Sequence, residues 1–355
     1  MNPSSSTTPG VVVITGASAG VGRAIVHEFA RAGWRIGLIA RDGAALEQVR
    51  REVEELKGEA AVIPADVSDA EAVFAAADSA ERSLGPIDIW INDAMVTVFA
   101  PVWEITPEEY RRVTDVTYLG VVHGTMAALR KMRPTNHGKI IQIGSALAYR
   151  GIPLQSAYCG AKYAIRGFTD SLRTELIHEG SRIGLTMVEL PAVNTPQFEW
   201  ARTHMPDQPR PVAPVVEPEV IGKAVFRLVH APRREVWIGL STLKVILGNM
   251  VLPAFLDRYL AHVAFNGQKT RQPVSPDRKD NLMAPVASLH RTRGRFGREA
   301  NRHAIATRGP VARLVPLVAG GMAIFLGGML AAESRGRRRD WHRRTRRSKH
   351  YGRSG

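Results

Sequence analysis

Tyr158 and Lys162 stand four residues apart, with Ser145 thirteen residues upstream. On a helix that spacing puts a phenol and an ammonium on one face, one turn apart. A phenol has an unperturbed pKa of about 10 and needs help to exchange a proton near neutral pH. A lysine held beside it favours the phenolate and brings that proton within reach. Tyr and Lys also fall four apart on many solvated helices, so the elements around them must decide.

Those elements alternate. Val11 to Ile14 is a short β-branched run, the mark of a strand buried on both faces. Thr15-Gly16-Ala17-Ser18-Ala19-Gly20-Val21-Gly22 follows at once, and then a helical stretch with Ile25, Phe29 and Ala32 on one face. Strand, glycine turn and helix together are the context of a dinucleotide-binding turn. The glycines let the backbone approach a pyrophosphate at the positive end of the helix. Further strands are expected at 35–40, 60–64, 87–91, 139–143 and 184–190, separated by helices at 44–56, 69–83, 107–132 and 158–179. Repeated βαβ units with buried strands predict an α/β doubly wound parallel (Rossmann) sheet. Ligands bind such sheets at the carboxyl ends of the strands, where Gly16, Asp66, Asn92, Ser145 and Pro191 all fall.

The proline-rich stretch 191–218 reads as a lid over substrate. A helix at 218–230 and a strand at 236–239 complete the domain. The apolar stretch 243–265 reads as a helix packed on the body or closing a substrate pocket, with a membrane-facing surface as the alternative.

Charge divides the chain unevenly. Of the net +15, residues 290–355 hold 17 Lys/Arg against Glu299, Glu333 and Asp340, leaving 31 basic and 30 acidic residues in 1–289. The single cysteine, Cys159, excludes an internal disulfide and fits a reducing cytosol. It sits about 100° round the helix from the Tyr–Lys face and reads as packing. No histidine spacing suggests a metal site. Residues 1–9 read as a loose leader.

With these residues assembled, 10 to about 240 resembles the short-chain dehydrogenase/reductase family, in its single-domain branch with Thr-Gly-x-x-x-Gly-x-Gly. The resemblance implies about seven strands, a catalytic domain over 10–272 and binding of NAD(P). It implies Tyr158 as acid/base, Lys162 as the group lowering its pKa and holding the nicotinamide ribose, and Ser145 as the group positioning the substrate oxygen. Thr15, Gly16, Ser18, Gly20, Val21 and Gly22 would line the phosphate side, with Asp66, Val67 and Asn92 further along. Thr195 would bond the nicotinamide carboxamide. The activity implied is hydride transfer between the cofactor and a carbonyl or alcohol, in a protein expected to be a homo-oligomer. The alternative is a catalytically weak cofactor-binding regulatory or scaffold protein.

The chain departs from the family pattern in places. Asn92-Asp93-Ala94-Met95 replaces Asn-Asn-Ala-Gly, Ala192 replaces a glycine, and Thr117 stands where the family has its catalytic asparagine. Thr117 is expected to hold the relay water that links Lys162 to solvent. At the end of the second strand Ala40-Arg41 replaces an acid, which favours NADP(H) over NAD(H) because an arginine can pair with a 2′-phosphate. Arg23 reads as an exposed helix residue.

Residues 273–309 read as linker. Leu314 to Ala332 then carries no charge over 19 residues, about 28 Å as a helix. With ten basic residues from Arg335 to Arg353, this end is expected to meet an anionic membrane surface in an interfacial or re-entrant placement, in preference to nucleic acid. The protein is expected in the cytoplasm, with membrane association through 314–332.

Overall fold

A computed structural model describes the chain from residue 9 to residue 309. Its centre is one sheet: β1 (Val11–Thr15), β2 (Arg35–Ala40), β3 (Glu59–Pro64), β4 (Ile89–Asn92), β5 (Lys139–Ile143), β6 (Gly184–Glu189), β7 (Glu235–Ile238) and β8 (Ala306–Arg308). The spatial order is β3-β2-β1-β4-β5-β6-β7-β8. The first seven run parallel and β8 is antiparallel to β7.

Among the described residues, eight helices of seven residues or more flank this sheet: α1 (Gly20–Arg31), α2 (Gly43–Glu55), α3 (Ala70–Leu84), α4 (Pro107–Val113), α5 (Gly120–Met132), α6 (Ser156–His178), α7 (Pro218–His230) and α8 (Leu240–Val251). A ninth, α9 (Pro253–Gly267), stands at the edge. A widened, π-helical turn over Thr114–Leu119 joins α4 to α5, so the long helix expected over 107–132 is continuous but carries a bulge at Thr117.

The unbroken apolar run of β1 has a direct cause. Successive side chains of a strand point to opposite faces. Val11 and Val13 enter one core with Trp90, Ile140 and Val73, while Val12 and Ile14 enter the other with Ile36, Ile89 and Ile25. Both faces are covered, so Val11 to Ile14 are all apolar, and the one polar residue, Thr15, ends the strand with its hydroxyl hydrogen-bonded.

The strand order reverses between β2 and β4 on either side of β1. That switch point opens a crevice at the carboxyl ends of the strands, the usual ligand position in such sheets.

Residues 273–309 differ from the linker expectation. They fold back over the body, where Ala300–Asn301 pairs with Val215–Val216 and β8 extends the sheet. The apolar segment 314–332 and the arginine-rich end lie outside the described residues. Among the described residues no helix is long and apolar enough to cross a membrane.

Candidate active site

Ser145 follows β5 in extended backbone and opens a short 3-10 turn, its Oγ accepting from Leu147 N–H at 3.1 Å. α6 begins at Ser156, so Tyr158 and Lys162 occupy its first two turns, facing Ser145. The Tyr158 hydroxyl is hydrogen-bonded to Ser145. Lys162 Nζ donates to Ile143 O at 2.7 Å and lies 5.5 Å from the Tyr158 ring centroid. All three line one cavity of about 380 Å³ that also reaches Gly16, Ser18, Gly20, Val21, Arg41, Asp66, Val67 and Thr195. Residues far apart in sequence therefore share one space. Cys159 is buried outside it, its Sγ near Ile152 O at 4.0 Å.

Two carboxyls that the sequence reading missed flank Lys162. Asp93 lies at the end of β4, its carboxyl accepting from Gly22 N–H. Glu189 ends β6 and is fully buried. Its carboxyl lies against the Ser145 N–H without a well-formed hydrogen bond, and neither oxygen has another partner. Gly144 makes room for it, since a Cβ there would stand 2.4 Å from Glu189 Oε2. Burial raises the Glu189 carboxyl to about 8; Glu235 adds to the shift, while Lys162 and Arg166 oppose it. Burial likewise raises Asp93, with Lys162 opposing. Lys162 is held below the usual lysine range by burial, although both carboxyls favour its charged form. The Tyr158 phenol is pushed up by burial, against the pull of its bond to Ser145. Only Asp93 had a signal in the sequence, as the acid in Asn92-Asp93-Ala94-Met95.

The glycine turn is built for close approach. Gly16 and Gly20 have φ of +74° and +57°, the left-handed region that costs glycine little. A Cβ on Gly16 would meet Ala94 N at 2.9 Å, and one on Gly22 would meet Gly16 O at 2.3 Å. Thr15 does not line the cavity. Its Oγ1 accepts from Asp93 N–H and Ala94 N–H, at 3.1 and 3.2 Å, and so ties this turn to the end of β4. Thr195 stands beside Gly20, 3.2 Å from where its Cβ would be.

Asn92 and Thr117 are placed elsewhere. The Asn92 amide donates to Gln142 Oε1 (2.8 Å) and Thr125 Oγ1 (3.2 Å), and its oxygen accepts from Trp90 Nε1 (2.8 Å). It is a core connector between β4, β5 and α5. The Thr117 hydroxyl is spent on the backbone of Val96. Arg23, expected on the surface, is buried, with its guanidinium on Glu52 and on His290 O at 2.7 Å.

That last contact belongs to a strap, residues 281–296, which composition gave no reason to expect here. Gly20 N–H donates to Arg291 O at 3.0 Å. Arg41 donates to the carbonyls of Asn281, Leu282 and Met283 at 2.5, 3.3 and 3.1 Å. Arg112 bridges Leu282 O (3.1 Å) to Asp66 (2.5 Å). His290 Nε2 lies 3.2 Å from Asp42, and its ring meets Trp200 edge-on. Gly294 N–H donates to Asn194 O at 3.1 Å. The strap thus crosses from the ends of β2 and β3 to the loop after β6, and Asn281, Pro285 and His290 line the cavity.

Of the stretch 191–218, Pro196, Phe198, Trp200 and Val212 line the same space. So do Val245 of α8 and Leu260 and Ala264 of α9, as expected of a segment closing a pocket.

Comparison with known proteins gives concordant results. Residues 10–205 match the family described as short chain dehydrogenase. An uncharacterized oxidoreductase of Bacillus subtilis, YxnA, is 29% identical over 282 residues, covering 79% of each chain. An alcohol dehydrogenase from the archaeon Thermococcus sibiricus, solved with 5-hydroxy-NADP, is 27% identical with a TM-score of 0.55, over 65% of this chain and 96% of that one. A metagenomic short-chain oxidoreductase in complex with NADP is 27% identical with a TM-score of 0.52, over 62% of this chain and 89% of the other.

Proposed function

The chain belongs to the short-chain dehydrogenase family and is an NAD(P)-dependent oxidoreductase; on that footing we propose that it interconverts an apolar carbonyl compound and its alcohol using NADP(H). The observation that carries this reading is the meeting of Ser145, Tyr158 and Lys162 on a cavity continuous with the glycine turn.

The residues present fit a dinucleotide. The turn from Gly16 to Gly22 is a cradle that side chains would fill, and Gly20 and Val21 line the cavity at the positive end of α1. Ser18, Arg41, Asp66 and Val67 would flank the adenosine end, with Lys162 and Thr195 at the nicotinamide. When bound, the nicotinamide supplies or takes up the hydride.

Tyr158 then moves the proton on the substrate oxygen, giving it in reduction and taking it in oxidation. Ser145 donates a hydrogen bond to that oxygen as charge develops there. Lys162, anchored on Ile143 O, favours the phenolate and replaces its proton. With the Thr117 hydroxyl committed to Val96, burial lowers the Lys162 pKa, and the carboxyls of Asp93 and Glu189 oppose it by favouring the charged form.

The preference for NADP(H) rests on the end of β2. Asp42, the acid that could take ribose hydroxyls, caps α2 by accepting from Ala45 N–H at 3.0 Å and also meets His290. Arg41 lines the cavity beside it. Relatives bound to NADP or its derivative agree with this reading.

The lining of Phe198, Val245 and Leu260 supports an apolar substrate. Oxidation of NADPH is to be followed with a panel of ketones and aldehydes for the native chain and Tyr158→Phe. Turnover should vanish in Tyr158→Phe while cofactor binding persists; retained turnover overturns the assignment.

A further inference from the structure

We propose that the hairpin of α8 and α9 docks on the surface of an anionic lipid bilayer, so that an apolar substrate enters the cavity from the membrane. The delivery role rests on the function proposed above; the docking does not.

The observation is a helix with almost nothing behind it. Of the fifteen residues of α9, Ala264 is the buried one. Leu252, just before it, and Phe255, Tyr259 and Val263 follow at spacings of three, four and four, which is one stripe of a helix. All four are exposed, Phe255 to 60% and Leu252 to 57%. Met250 and Val251 at the end of α8 extend the patch around the tip of the hairpin. Contiguous apolar surface of this kind marks a covered site. Its inner side is the wall of the cavity, through Val245, Leu260 and Ala264. What covers the patch therefore lies beside the route into the site.

Charge identifies the cover. Between residues 240 and 271 the cations are Lys244, Arg258, Lys269 and Arg271, and the sole acid is Asp257. Asp257 is already paired with Arg150. A second copy meeting this face across a two-fold axis would bring the same cations against these, with no free acid from the hairpin to oppose them. An anionic headgroup layer supplies the missing charge, and its acyl region takes up the stripe. A helix with leucine and aromatic residues on one side and Lys/Arg around it suits that interface. The hairpin lies on the bilayer and does not span it.

The test uses the full chain. Phe255→Cys is labelled with an environment-sensitive fluorophore, the native Cys159 being buried. Glu47→Cys, on the exposed face of α2, is the control site. Adding phosphatidylcholine vesicles containing phosphatidylglycerol should shift emission at position 255 to the blue, with quenching by nitroxide-bearing acyl chains. Position 47 should be unchanged. No shift at 255 on adding vesicles overturns the proposal. So does a shift that grows with protein concentration in the absence of lipid, which identifies a second copy as the cover.

A second variant, Leu252→Glu with Phe255→Glu, separates delivery from catalysis. Turnover of a short water-soluble ketone should be unchanged. Turnover of a long-chain ketone dissolved in the vesicles should fall by about tenfold or more, given the apolar area removed from lipid. Equal turnover of both ketones in native and variant chains overturns delivery from the membrane. A shift at 255 without any ketone turnover would uphold docking and fail the catalytic reading alone.

Discussion

Thr117 closes its hydroxyl on both backbone groups of Val96, donating to the carbonyl at 2.9 Å and accepting from the N–H at 3.0 Å. The residue in the place of the family's catalytic asparagine is thereby a clamp on the loop after β4. Its one donor is spent, which weighs against its expected place as holder of a relay water for Lys162.

Thr117→Val tests that division. The methyl keeps the shape but leaves the buried Val96 N–H and C=O unpaired, which costs about 1–3 kcal/mol. The urea midpoint should fall accordingly, while the pH profile of kcat keeps its shape. A changed profile with an unchanged midpoint would return Thr117 to the proton path.

Glu189 makes stability depend on pH. Its folded-state pKa of about 8 lies above its ordinary value, so its contribution is full below that ordinary value and is lost as pH rises towards 8. Ionised in the unfolded chain, it must take up a proton to fold. Glu189→Gln removes this dependence. Relative to the native chain, the variant should gain on the order of a few kcal/mol between pH 5 and pH 8. Asp93 is shifted in the same direction and leaves part of the slope in place. Denaturant titrations at the two pH values measure it, and a constant difference would mean that Glu189 folds in its charged form.

Arg41→Ala should raise KM for NADPH by about tenfold or more, the worth of a charge-assisted pair, with a smaller change for NADH. It should also free the carbonyls of Asn281 to Met283, so limited proteolysis near Met283 should quicken. A native preference for NADH would overturn the reading of the β2 end.

Gly22→Ala drives a methyl to 2.3 Å from Gly16 O. The rigid backbone of the turn must move, at a cost of about 1–3 kcal/mol. Cofactor affinity, followed by tryptophan fluorescence on titration with NADPH, should fall at least about tenfold. Unaltered affinity would show that the turn does not approach the cofactor.

Much of the fold was legible because its signals are local. A strand buried on both faces must read as an apolar run, and a tight βα turn must use glycine, so the order of β1 to β7 and the place of Ser145 could be read along the chain. Tyr158 and Lys162 carried the meaning of one helical turn. The site's electrostatics were not legible in this way. Glu189 is one more polar residue at the end of a strand until Gly144 and Lys162 are packed against it. Asn92 looked like a cavity residue by position, but the side chain of the last residue in β4 turns into the core. Arg23 looked exposed because its cover, the strap near His290, comes more than 260 residues later.

By itself, then, the sequence determined the parallel α/β sheet, the glycine turn and the one-turn spacing of Tyr158 and Lys162, since each follows from periodicity or from spacing within one element; Ser145 joined them through the family resemblance. The tertiary structure alone decided that Thr117 serves Val96, that two buried carboxyls face Lys162, that 281–296 crosses the cleft beside Gly20 and Arg41, and that α9 keeps its apolar stripe uncovered. Those outcomes depend on which distant segments meet, and on burial, which no single stretch of chain encodes.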